Sequence, residues 1–65
     1  MKKTIQVKGM HCPSCEILLR EAIEEKGIKV LAADFKTNRI EVEAKDEKQV
    51  EAAKKAIQGE GYTLA

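Results

Sequence analysis

Lys3-Thr4-Ile5-Gln6-Val7-Lys8-Gly9-Met10-His11-Cys12-Pro13-Ser14-Cys15 changes period in its middle. Residues 3 to 8 alternate strictly, with Ile5 and Val7 on one face, which predicts a half-buried strand. Gly9 breaks the alternation, and from about Pro13 to Lys26 the apolar spacing becomes helical. Cys15, Leu19, Ala22 and Ile23, helped by Leu18, form one stripe, while Glu16, Arg20, Glu21, Glu24 and Glu25 face water. Gly27 directly after Lys26 is expected at C′, where a glycine stops a helix.

Working outward, residues 28 to 35 form a second strand, with Leu31, Ala33 and Phe35 sharing a face. Lys36-Thr37-Asn38-Arg39 is a polar turn, and Ile40-Glu41-Val42-Glu43 alternates again, completing a hairpin. Asp46 and Gln49 have capping-box spacing for a second helix, buried through Val50, Ala53, Ala56 and Ile57 and closed by Gly59. Gly61-Tyr62-Thr63-Leu64 is a short last strand. The order is βαββαβ. Two helices with single apolar stripes need one sheet face, and right-handed crossovers put both on the same side. The expected fold is α+β and ferredoxin-like: a four-stranded antiparallel sheet with two helices on one face, residues 1–65 being a single domain.

Composition narrows the function. Twelve basic and 11 acidic residues argue against a nucleic-acid partner, which selects a strongly basic surface. No apolar run reaches the length of a membrane span, so direct membrane insertion is not expected. The lysines near Met1 precede no apolar h-region, so the start is not read as a signal peptide and the cytoplasm is expected, where thiols stay reduced. A bridge between Cys12 and Cys15 would close a tiny loop and stabilise little. The two thiols are therefore expected to serve metal or chemistry.

Pro13 suits the first helical position because it lacks the N–H left unsatisfied there. Cys12 then falls near the N-cap and Cys15 near N3, among free N–H groups at the positive end of the helix dipole, which favours thiolates. Ser14 as N-cap is the competing frame. Thiolates select soft ions, zinc or iron–sulfur clusters. Closed zinc and cluster sites need four ligands, and this chain has two cysteines and one histidine. Four-coordinate closure would need His11 and a carboxylate such as Glu16, strained at this spacing. A two-thiolate ion fits better: Cu(I), with Hg(II) also fitting. Such a site is open to an incoming thiolate, so it suits transfer.

The string Gly-Met-His-Cys-Pro-Ser-Cys between a strand and a helix resembles the heavy-metal-associated domain, whose signature is Gly-Met-x-Cys-x-x-Cys at this position. The resemblance covers essentially the whole chain. It implies that Cys12 and Cys15 bind the ion and that Met10 packs inward and steadies the loop. Methionine fills gaps well, which agrees. Gly61-Tyr62 is similar to the bacterial copper chaperones, where the tyrosine lies close to the metal loop. Tyr62 either caps the core edge or shields the site with its hydroxyl reaching a sulfur. His11, at the variable position, is either solvated or an accessory ligand.

The resemblance implies a cytosolic copper chaperone, not an enzyme, that passes one Cu(I) by ligand exchange to the metal-binding domain of a copper-transporting P-type ATPase. A metal-binding domain of such an ATPase and a carrier of Zn(II) or Hg(II) stay open. A chain beginning at Met1 and ending just past the last strand is expected to be free-standing. It is expected to be monomeric without metal and capable of a metal-bridged dimer. The rival from another class is a thiol–disulfide redox protein. The acids of the first helix, set against Lys2, Lys3 and Lys8, form either a solvated face or a dipolar surface that orients a partner.

Overall fold

In the computed structural model, which describes residues 1–64, the chain order is β1 (Lys2–Lys8), α1 (Pro13–Glu24), β2 (Lys29–Asp34), β3 (Arg39–Glu43), α2 (Glu47–Gly59) and β4 (Thr63–Leu64). The strands form one antiparallel sheet in the order β2-β3-β1-β4. This is the ferredoxin-like arrangement expected from the sequence. Each helix joins two strands that are separated in the sheet by a third. The helices pack on each other, and α1 also on β2 and α2 on β1 and β4. Ile5 and Val7 of β1, Ile40 and Val42 of β3, Leu19 and Ile23 of α1, and Ala53 and Ile57 of α2 share one core. Among the described residues, the buried set includes no polar or charged residue. No helix of the described residues is long and apolar enough to cross a membrane.

Three details of the sequence reading change. Leu18, assigned to the apolar stripe, is 44 % exposed, and Leu19 beside it is fully buried. At 100° per residue the core takes Cys15, Leu19 and Ile23, four apart, and the adjacent Leu18 is turned away. Leu31, grouped with Ala33 and Phe35 on one face of β2, is 37 % exposed and does not share their face. The register jumps between Val30, opposite Val42, and Ala32, opposite Glu41, so Leu31 is the extra residue of a β-bulge. The bulge reverses the alternation: Val30 is buried before it and Ala33 and Phe35 pack on the core after it. Ala56 is only half-buried, on the flank of the stripe made by Val50, Ala53 and Ile57.

The helix ends also differ. α1 stops at Glu24, and residues 25–27 form a turn in which the Gly27 N–H reaches the Glu24 carbonyl at 2.9 Å. Gly59 is the last residue of α2 and does not close it; the left-handed glycine is Gly61, two residues on, at φ +94°. At its start, Asp46 is the N-cap and accepts from the Gln49 N–H at 3.0 Å, as the spacing predicts. The Gln49 side chain reaches back one residue further than in a capping box, to the Lys45 N–H at 2.8 Å.

The topology gathers three connections at one end of the sheet. β1 ends there at Lys8 and leads into the cysteine loop. The β2–β3 turn lies at the same end, its Asn38 carbonyl accepting from the Val7 N–H at 2.8 Å. The segment from α2 to β4 arrives beside them, because Lys8 pairs with Thr63.

Candidate metal centre

Cys12 is the N-cap of α1, in extended conformation, and Pro13 occupies N1. Ser14 is therefore inside the helix, and the competing frame is set aside. Cys15 falls at N3, and its N–H closes on the Cys12 carbonyl at 3.0 Å. One tight turn thus brings both side chains to the same side, with Sγ of Cys12 and Sγ of Cys15 3.2 Å apart. Both cysteines are free; Cys15 is buried and Cys12 half-buried.

Met10 is buried to 3 % and belongs to the core, so the loop is pinned from below by its thioether side chain. Gly9 has φ +104°, a left-handed conformation that an L side chain adopts with strain. A Cβ at Gly9 would also lie 3.3 Å from the ring of Tyr62. Glycine is needed here for space and for backbone angle together.

Around Cys15 the loop is a set of donors. The backbone N–H of His11, then the hydroxyl of Tyr62, then the thiol of Cys12 stabilise its thiolate, and together they outweigh burial. They bring its pKa to about 6, well below the ordinary thiol value. The tyrosine is affected in return. Ionising Tyr62 would break its bond to Cys15 and place a second negative charge beside the sulfurs, so its pKa is pushed up to about 12. Tyr62 is half-buried against the core, and hydrogen bonding between the two side chains contributes to the opposed shifts of its hydroxyl and the Cys15 thiol.

His11 is exposed, and its Nδ1 lies 2.8 Å from the Gly9 carbonyl oxygen. A ring nitrogen of His11 and the sulfurs of Cys12 and Cys15 all lie within 4.8 Å of one another. Glu16, weighed as a fourth ligand or a solvated acid, is engaged elsewhere. Its Oε2 accepts from the Phe35 N–H at 2.7 Å, fastening the first turn of α1 to the chain just past β2. Sequence reading missed this bond and the His11 N–H at Cys15. Backbone donors carry no residue signature, and Glu16 finds Phe35 only through the packing of α1 on β2.

The sequence model of the heavy-metal-associated domain family matches residues 4–63, and the chain belongs to that family. It is 40 % identical over 58 residues to the mercuric reductase of Staphylococcus aureus, a match covering 89 % of this chain and 10 % of that protein. It is 38 % identical over 63 residues to the mercuric reductase of Bacillus cereus, covering 95 % and 10 %. The chain thus spans about a tenth of the length of these relatives. Among solved structures, the CopZ metallochaperone superposes with a TM-score of 0.86 at 22 % identity over 100 % of both chains. A copper binding domain from HMA7, a P-type ATPase, gives 0.83 at 26 % identity, covering 98 % of this chain and 89 % of that one. Oxidized MerP from Ralstonia metallidurans CH34 gives 0.76 at 30 % identity, covering 100 % and 96 %.

Proposed function

We propose that this domain is a carrier of a soft metal ion, holding one Cu(I) between Cys12 and Cys15 and surrendering it by ligand exchange. The observation that carries this reading is the pair of sulfurs 3.2 Å apart at a helix N-terminus, one of them held as a thiolate near neutral pH. Two thiolates satisfy a soft monovalent ion and leave it open to a third. Cys15 is buried and Cys12 is half-buried, so an incoming thiolate reaches the ion from the Cys12 side. It bonds to the ion before an outgoing sulfur leaves, and the ion keeps its charge throughout. No substrate is converted, so the domain is not an enzyme. The copper binding domain of HMA7 supports a P-type ATPase as the receiving or containing protein. In this reading the cytoplasm is the setting and a metal-bridged dimer the route to a shared site.

Titration of the reduced protein with Cu(I) under anaerobic conditions, against a competing chromophoric chelator, tests the reading. Wild type should withhold the ion from the chelator, and Cys12→Ser and Cys15→Ser should release it. Equal binding by all three proteins overturns the proposal.

A second reading is favoured by the two mercuric reductases at 40 % and 38 % identity: the cargo is Hg(II) and the receiver a reductase. The same thiolate pair serves a linear divalent soft ion. Metal analysis of the protein recovered from cells exposed to copper or to mercury separates the two.

A further inference from the structure

We propose that His11 is a third ligand, which gives this site a second coordination mode for a borderline divalent cation of the Zn(II) class. This rests on the reading of Cys12 and Cys15 as thiolate ligands and goes beyond it in donor set and in ion.

Three observations converge. The first is proximity: an imidazole nitrogen and the two sulfurs lie within 4.8 Å of one another, with His11 next to Cys12 in sequence. The second is the state of the ring. A carbonyl oxygen only accepts, so the 2.8 Å contact between His11 Nδ1 and the Gly9 oxygen places a proton on Nδ1. With Nδ1 turned to the carbonyl, Nε2 is the ring nitrogen left to offer a lone pair to a metal. A donated N–H to a backbone carbonyl is the support that metal-ligating imidazoles generally have, because it fixes both tautomer and ring orientation. The carbonyl that provides it belongs to Gly9, which has φ +104° and lies beside the ring of Tyr62.

The third is the shape of the sulfur pair. Metal–sulfur bonds of about 2.3 Å set two sulfurs about 3.8 Å apart around a tetrahedral ion and about 4.6 Å apart around a linear one. The observed 3.2 Å is nearer the tetrahedral edge. Charge agrees: two thiolates neutralise a divalent ion, and a neutral imidazole completes three ligands without adding charge. Three protein ligands and an open fourth position are a known zinc arrangement, including the cysteine–cysteine–histidine set. Glu16 does not fill the fourth position, because its carboxylate is held at the Phe35 N–H. Water or a donor from another molecule takes it, so the divalent mode also remains exchangeable.

The test uses the reduced protein and Zn(II) alone, with a colorimetric chelator as competitor and Co(II) as a spectroscopic stand-in. His11 is exposed, so His11→Ala should fold as wild type does, checked by circular dichroism. The variant should bind Zn(II) at least about tenfold more weakly, and its Co(II) spectrum should lose the nitrogen contribution to the ligand-field bands while keeping the sulfur charge-transfer band. Its Cu(I) affinity should stay within about twofold, since the linear mode does not use the ring. Zinc affinity unchanged in His11→Ala, with Cu(I) binding intact in wild type, overturns the third ligand alone. Cu(I) binding that is no stronger in wild type than in Cys12→Ser and Cys15→Ser overturns the thiolate reading beneath it.

Discussion

The hydroxyl of Tyr62, in the segment leading into β4, stabilises the thiolate of Cys15 in the first turn of α1. Residues 47 positions apart in the chain thus meet at one sulfur, and each shifts the other's proton affinity in the direction that preserves the bond. With its pKa near 12 the phenol remains a donor across the physiological range.

Replacing the donor while keeping the ring isolates that bond. Tyr62→Phe should retain the packing against Gly9 and the core, and should raise the Cys15 pKa by about one unit from its value near 6. The pH dependence of alkylation of the reduced protein measures it. A midpoint unchanged from wild type would mean that the His11 N–H and Cys12 hold the thiolate without the tyrosine.

The low thiol pKa also sets how stability varies with pH in the metal-free protein. Between about 6 and the ordinary thiol value of 9.0, the folded chain has lost the Cys15 proton and the unfolded chain retains it. The unfolded state binds more protons, so stability rises with pH through that window. The contribution is full above the unfolded value and disappears as pH falls through about 6. Urea midpoints under reducing conditions should climb more steeply from pH 6 to pH 9 in wild type than in Cys15→Ser, the other titrating groups being common to both.

Glu16 is expected to act as a tie and not as a ligand. Glu16→Ala leaves the Phe35 N–H without its acceptor and should cost about 1–2 kcal/mol in denaturant unfolding. Glu16→Gln, which retains a carbonyl oxygen, should recover part of it. Phe35 amide exchange should quicken in the alanine variant. Loss of Cu(I) affinity with no loss of stability would instead assign the carboxylate to the metal.

The neighbouring leucines of α1 make a direct comparison. Leu19 is fully buried, and Leu19→Ala should cost about 2–5 kcal/mol by deleting core contacts and leaving a cavity. Leu18, 44 % exposed, should lose about 1 kcal/mol or less on the same change. Equal losses would put both on the core face and contradict the rotation of the helix described above.

Where the sequence reading missed, the cause lies in contacts between distant segments. β1 and β3 were legible because Ile5, Val7, Ile40 and Val42 alternate without interruption and all four are buried. β2 was legible as a strand and misread in its phase. Leu31 is a bulge, and a bulge exists only relative to the partner strand, where Val42 and Glu41 fix the register. In α1 the period placed Leu19 and Ile23 inward, but Leu18 differs from Leu19 in position alone, and its exposure depends on how the helix is rotated against the sheet. The cysteine frame was legible as the first of two: Pro13 favours N1, which puts Cys12 at the N-cap and Cys15 at N3, and the extended Cys12 removes the alternative with Ser14 as N-cap.

By itself the sequence determined the order of elements and the pairing of Cys12 with Cys15 at a helix start, because these follow from local periodicity and a spacing of three. Only the tertiary structure decided which partners surround the sulfurs. Tyr62 reaches Cys15 because β4 pairs with the end of β1, Glu16 is drawn to Phe35 because α1 packs on β2, and His11 is steadied by a carbonyl that the tight path at Gly9 exposes. These relationships depend on backbone atoms and on residues far apart in the chain, and neither is encoded in the identity of a single neighbour.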